Sequence, residues 1–101
     1  MVRPAKNIVD VNMQILRIAG EPISNQQMMK HAERIYGDDW NTSKRINLQC
    51  MRTALHSLGI ISHPRRGIWG LTKHADARFA RLKDFDVQDV WNEHMRIKHG
   101  K

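Results

Sequence analysis

The chain has 101 residues, enough for one domain with one modest core. Its 41% hydrophobic and 27% charged residues give a globular balance and exclude a disordered chain. No apolar run approaches the ~20 residues of a bilayer span, and no apolar stretch follows the charged N-terminus as in a signal peptide, so a soluble cytoplasmic protein without a membrane partner is expected.

Asn7 to Ala19 reads as the first helix, with Ile8, Val11, Ile15 and Ile18 at three- and four-residue spacing and Leu16 and Ala19 widening the stripe. Pro4 precedes it and Gly20 follows as a left-handed stop. Glu21-Pro22-Ile23 is short enough only for an extended bridge. Ser24 and Gln27 then form a capping box, in which the hydroxyl accepts from the third N–H and the amide reaches back. The second helix runs to about Tyr36, with Met28, Ala32 and Ile35 inward, and Gly37 ends it. Asp38 to Asn41 is a polar turn holding Trp40.

Thr42 or Ser43 can cap a third helix ending at Leu58, with Gly59 at its stop. Leu48, Met51, Leu55 and Leu58 form its core stripe, supported by Ala54. At 100° per residue the opposite face carries Arg45, Gln49, Arg52, Thr53 and His56, with Ile46 unexplained near its edge. Cys50 reads as a small semi-buried hydrophobe. As the only cysteine it excludes an intramolecular disulfide and a zinc site of paired thiols.

Ile60-Ile61-Ser62 is a strand, His63-Pro64-Arg65-Arg66-Gly67 a turn, and Ile68-Trp69-Gly70-Leu71 a second strand. In that second strand Ile68 and Gly70 face one way, Trp69 and Leu71 the other. The result is a β-hairpin tipped by two adjacent arginines. Thr72 can cap a fourth helix through Ala75, Phe79 and Leu82, which Lys83-Asp84-Phe85 breaks. Asp86 can cap a last amphipathic helix, with Val87, Val90, Trp91, His94 and Ile97 on one side, before His99-Gly100-Lys101 frays.

The net charge of +7 is unevenly spread. Residues 1–40 sum to zero. Residues 41–73 carry Lys44, Arg45, Arg52, Arg65, Arg66 and Lys73 with no acid at all. A polyanion would meet no repulsive group there. The element order matches the winged variant of helix-turn-helix, giving a mainly α fold with a small β-hairpin and a C-terminal amphipathic helix. On this reading residues 1–83 are a nucleic-acid-binding winged-helix domain. Residues 84–101 are a helix that either packs on that domain or joins two copies through Val87, Val90 and Trp91.

The run Ala54-Leu55-His56-Ser57-Leu58-Gly59-Ile60-Ile61, followed by Pro64-Arg65-Arg66-Gly67-Ile68-Trp69-Gly70-Leu71-Thr72, resembles the N-terminal winged-helix domain of Mrr-type restriction endonucleases over roughly residues 6–82. The resemblance implies DNA reading by the third helix and the hairpin, sensitive to sequence or to base modification. It fits a transcriptional regulator, or the DNA-reading module of a restriction-type system. The family's nuclease domain has no counterpart here, so binding without cleavage is the expectation.

Phosphates supply affinity and base edges supply specificity. Recognition helices enter the major groove with their N-terminal residues nearest the bases. Arg45 and Gln49 are therefore the candidate base readers, since Arg forks onto guanine and Gln onto adenine. Lys44 and Arg52 are candidate mixed base and phosphate contacts, and Thr42 and Ser43 bond a phosphate if they do not cap. Arg65 and Arg66 would lie on the minor groove or its phosphates, with His63 and Lys73 touching the backbone. The six histidines (His31, His56, His63, His74, His94, His99) show no i, i+4 pair, and no nucleophile or phosphate-cradling motif is present. No metal, cofactor or catalysis is expected. A winged helix acting as a protein–protein adaptor is the rival reading. The expected partner is duplex DNA, which would make the protein nucleoid-associated.

Overall fold

The structure, a computed structural model, describes residues 8–80 and 87–99. Its first helix, α1 (Ile8–Ala19), packs against the second and third helices and the sheet, and so buries most of its circumference. Val9 and Met13 face inward along with the expected Val11, Ile15 and Leu16. Ile18, expected in the stripe, falls at the edge of the buried arc and is 55% exposed. Asn12 is fully buried. Its Nδ2 donates to the Ile8 carbonyl at 3.1 Å and to the Leu48 carbonyl at 3.2 Å, so one amide ties α1 to the third helix.

The short bridge after α1 is more than a connection. Ile23–Ser24 forms a strand, β1, ahead of α2 (Asn25–Tyr36). The capping box is present in both directions: Ser24 Oγ accepts from Gln27 N at 3.2 Å, and Gln27 Oε1 accepts from Ser24 N at 2.9 Å. Met28 and Ala32 are buried as expected, whereas Ile35 points out at 37% exposure. A 3-10 turn, Gly37–Asp39, leads to Trp40, which stacks on Tyr36 with centroids 5.8 Å apart.

Helix α3 (Thr42–Ser57) is capped one residue earlier than expected. Asn41 Oδ1 accepts from Lys44 N at 2.9 Å, which leaves Thr42 and Ser43 inside the first turn. Leu48, Met51, Ala54 and Leu55 enter the core, and Leu58 packs half-buried against it. Cys50, expected to be semi-buried, is exposed.

β2 (Ile61–Arg65) and β3 (Ile68–Leu71) form the hairpin, and β1 adds to the free side of β3. The sheet is antiparallel in the order β1-β3-β2. Ile23 pairs with Trp69, and Ile61 with Leu71. The fold is mainly helical, a helix-turn-helix with a three-stranded wing. Gly70 sits where Pro22 crosses the sheet: a Cβ there would lie 3.1 Å from the proline ring and 3.2 Å from its Cα, so a side chain would displace the β1 approach.

Thr72 does not cap the following helix, α4 (Ala75–Ala80). Its hydroxyl donates to the Gly59 carbonyl at 2.7 Å, closing the base of the hairpin against the end of α3. The expected break at Lys83-Asp84-Phe85, the cap Asp86, Leu82 and the 83/84 domain boundary lie outside the described residues.

Helix α5 (Val87–His99) packs on α3. Val90 is fully buried, and the His94 ring meets the Ser57 hydroxyl at 2.7 Å. His99, expected to fray, is helical. Of the three residues expected at a dimer contact, Val90 is committed to this core, Val87 packs partly against it, and only Trp91 is exposed. No helix among the described residues is long and apolar enough to cross a membrane.

Candidate nucleic-acid interface

Thr42, Ser43 and Arg45 are exposed in the first turn of α3, and of these Thr42 and Arg45 share the flank of Gln49 and Arg52 that faces the hairpin, whereas Ser43 lies about 160° from Arg45. Ile46 is exposed beside them, beyond the edge of the core stripe. Lys44 departs from this group. It lies about 100° round the helix from Arg45, half-buried, with its ammonium 5.3 Å from the Tyr36 ring centroid. One and two turns on, Gln49 and Arg52 turn toward α2 and the hairpin.

Arg52 is only 7% exposed, which a surface phosphate contact would not be. Its guanidinium carbon sits 4.0 Å from the Trp69 ring centroid, and its Nη1 donates to Asn25 Oδ1 at 2.7 Å. The same Asn25 oxygen accepts from Gln49 Nε2 at 3.3 Å. Arg52 Nε is buried without a hydrogen-bond partner. Burial lowers the guanidinium's pKa from its ordinary value. Thus α3, the start of α2 and the middle strand converge on one cation held by an amide and an indole, a desolvated cation–π contact.

The hairpin turn is tighter than expected. Strand β2 continues through His63, Pro64 and Arg65, leaving Arg66–Gly67 as a two-residue turn with Gly67 at φ 77°. The register slips between Ser62 and Arg65, around Pro64, which has no N–H to give the ladder. That slip sets His63 opposite Trp69. The two rings stack at 3.8 Å with an interplanar angle of 3°. His56 meets both rings edge-on, at 5.9 and 6.0 Å, while its Nδ1–H donates to the Ile61 carbonyl at 2.9 Å. The tip is tied down as well: Asn25 N donates to the Gly67 carbonyl at 3.1 Å.

Gln49, Arg52 and Thr53 of α3 line a cleft of about 500 Å³ together with His63, Arg66 and Trp69 of the hairpin. Asn25 closes one side, and no acid among the described residues lines it. Arg45, Arg65 and Lys73 are exposed but do not line the cleft. Of the ten residues expected at the interface, Gln49, Arg52, His63 and Arg66 are brought to one concavity, and Thr42, Ser43, Lys44, Arg45, Arg65 and Lys73 are not. Sequence reasoning missed Asn25 and Trp69. Trp69 was reachable: a two-residue turn at Arg66–Gly67 with one bulge puts it across from His63. Asn25 had no signal beyond its place after a cap.

No protein-family model matches this chain, and no characterised protein or solved structure is significantly similar to it. Among the described residues no three His, Cys, Asp or Glu side chains are grouped to hold a metal ion.

Proposed function

We propose that this protein binds double-stranded DNA, with the start of α3 in the major groove and the hairpin against the minor groove or its flanking phosphates. One observation carries the reading: helix and hairpin contribute to a single cleft lined by no acid among the described residues, within an acid-free stretch of chain from 41 to 73. A polyanion lying across it gains from every charge it meets. The likeness of the hairpin run to Mrr-type winged-helix domains supports the same reading, as a regulator or a DNA-reading module without catalysis of its own. Such a protein would work on the nucleoid.

Within this reading Arg45 is the foremost base reader, because its side chain is exposed at the helix start. Gln49 reads a base by exchanging its weak bond to Asn25 for one to an adenine edge. Thr42 and Ser43, relieved of capping by Asn41, offer hydroxyls to a phosphate. Arg65, Arg66 and Lys73 supply phosphate contacts. His63 braces Trp69 and lines the cleft beside Arg66. Arg52 changes role from DNA contact to positioning residue, since its cation is already engaged.

The test is a selection on a random duplex library, with and without modified cytosine, followed by salt titration of the best site. Affinity should fall linearly with log salt, with a slope near −0.9 for each phosphate engaged, roughly four or more phosphates in all. Absence of salt-dependent duplex binding at low ionic strength rejects the proposal in favour of an adaptor role.

A further inference from the structure

On the opposite flank of α3 lies a second concavity, larger than the hairpin cleft, at about 670 Å³. It is bounded by α1, the end of α2, α3 and α5. Val11, Met51 and Val87 form its apolar lining, and the Tyr36 and Trp91 rings are two of its walls. Among the described residues Lys44 is the sole charged one lining it, and no carboxylate does so. The volume falls within the ~300–1,000 Å³ of small-molecule sites, which are mostly apolar with a few placed polar groups.

From this we infer a binding site for a small aromatic carboxylate, independent of the nucleic-acid reading. Three features select that chemistry. The aromatic walls favour a flat apolar body over a flexible polar one. The Lys44 ammonium lies 5.3 Å from the Tyr36 ring centroid with no acid among the described residues lining the cavity, so an incoming carboxylate completes an ion pair over an aromatic face. Among the described residues the lining contains no anion to repel it. An organic cation of the same shape would meet Lys44 with like charge, and a neutral hydrocarbon would leave the ammonium without its counter-ion. Trp91 gains a role as well: it is 37% exposed although its α5 neighbours Val87 and Val90 turn toward the core.

Naphthoate is a suitable probe, with naphthalenemethanol as its uncharged twin. Calorimetry on the full chain, without DNA, should show saturable one-to-one binding of the acid and at least about tenfold weaker binding of the alcohol, the size expected of a hydrogen bond to a charged group. Lys44→Met, whose apolar stem still covers Tyr36, should erase that preference. Amide chemical shifts in the unaltered protein should move around Tyr36, Asn47, Met51 and Trp91 and remain still around Gly67 and Trp69. The mapping needs no variant, so a folding defect in Lys44→Met cannot mask the answer. Equal affinity for the two probes, no saturation by millimolar concentration, or shifts centred on the hairpin would each overturn the assignment.

Discussion

Helix α3 has two unlike flanks. Toward α1 and α5 it is fastened by burial: Leu48, Met51, Ala54 and Leu55 are held from several directions by neighbouring apolar groups. Toward the hairpin it is fastened by a few directional contacts: Arg52, Asn25 and Trp69 at the cleft, and nearer the hairpin base His56 on the Ile61 carbonyl and Thr72 on the Gly59 carbonyl. Burial is tolerant of small shifts, because many weak contacts share the load. A joint of one cation, one amide and one indole is not. The angle between α3 and the hairpin, and so the shape of the proposed groove-binding surface, rests on very few atoms.

The sharpest way to break the comparison is to remove one arginine from each setting. Arg52→Ala loses a desolvated cation–π contact worth about 2 kcal/mol and a charged hydrogen bond of similar size, so urea denaturation should show a loss of about 3 kcal/mol. Arg45→Ala, an exposed change on the same helix, should stay within about 0.5 kcal/mol of the parent. Similar stabilities for the two variants would dissolve the distinction between joint and reading surface. Arg52→Met refines the point. It keeps the packing on Trp69 and removes a buried charge with no acid beside it, so it should recover most of the loss.

Next in size is the hairpin. Replacing Arg65 and Arg66 together by Ala should weaken duplex binding by about tenfold at physiological salt and reduce the salt slope by about one for each phosphate that the hairpin no longer engages. Stability should be nearly unchanged, because both side chains are exposed. If affinity holds at low salt, the hairpin does not touch the duplex. The contrasting change is Arg45→Ala, which should cost about 1–2 kcal/mol on the preferred site and little on scrambled duplex, as removal of a base reader does. A uniform loss on both would demote Arg45 to a phosphate-binding residue.

The difference between the flanks also explains what could be read in advance. Elements α1, α2, α3 and the hairpin were legible because apolar spacing, the Ser24 box and the Gly stops are local properties of the chain. Ile18 and Ile35 were misplaced because a helical wheel shows a stripe but not how far its neighbours extend along the helix. The face holding Arg45, Gln49 and Arg52 was legible as a face, but the fate of each residue on it was not. Arg45 and Arg52 differ by only 20° on the wheel, and what separates them is Trp69, seventeen residues further along, together with Asn25 from the preceding helix. Lys44 was misgrouped because charge was counted along the sequence while its angle places it above the core stripe. The strand β1 was unreadable for a related reason: two residues carry no periodicity, and their pairing depends on β3.

The smallest expected effect concerns two acids just before the start of α3, the end proposed to enter the groove. Asp38 and Asp39 lie in the exposed 3-10 turn, just before the Asn41 cap. If the start of α3 lies among phosphates, these carboxylates oppose binding. At a separation on the order of 10 Å, each carboxylate–phosphate pair costs about 0.4 kcal/mol in water before screening. Asp38→Asn with Asp39→Asn should therefore tighten duplex binding by about two- to fourfold at ~0.01 M salt, where the Debye length is ~30 Å, and by little at ~0.15 M, where it is ~8 Å. Fluorescence anisotropy at the two salts reads this directly. A gain at low salt places the N-terminal end of α3 near the backbone without touching any proposed contact, which the arginine variants cannot do. No gain would mean that this end faces away from the duplex, and that the hairpin flank, with Arg66 and Gln49, must bind without it.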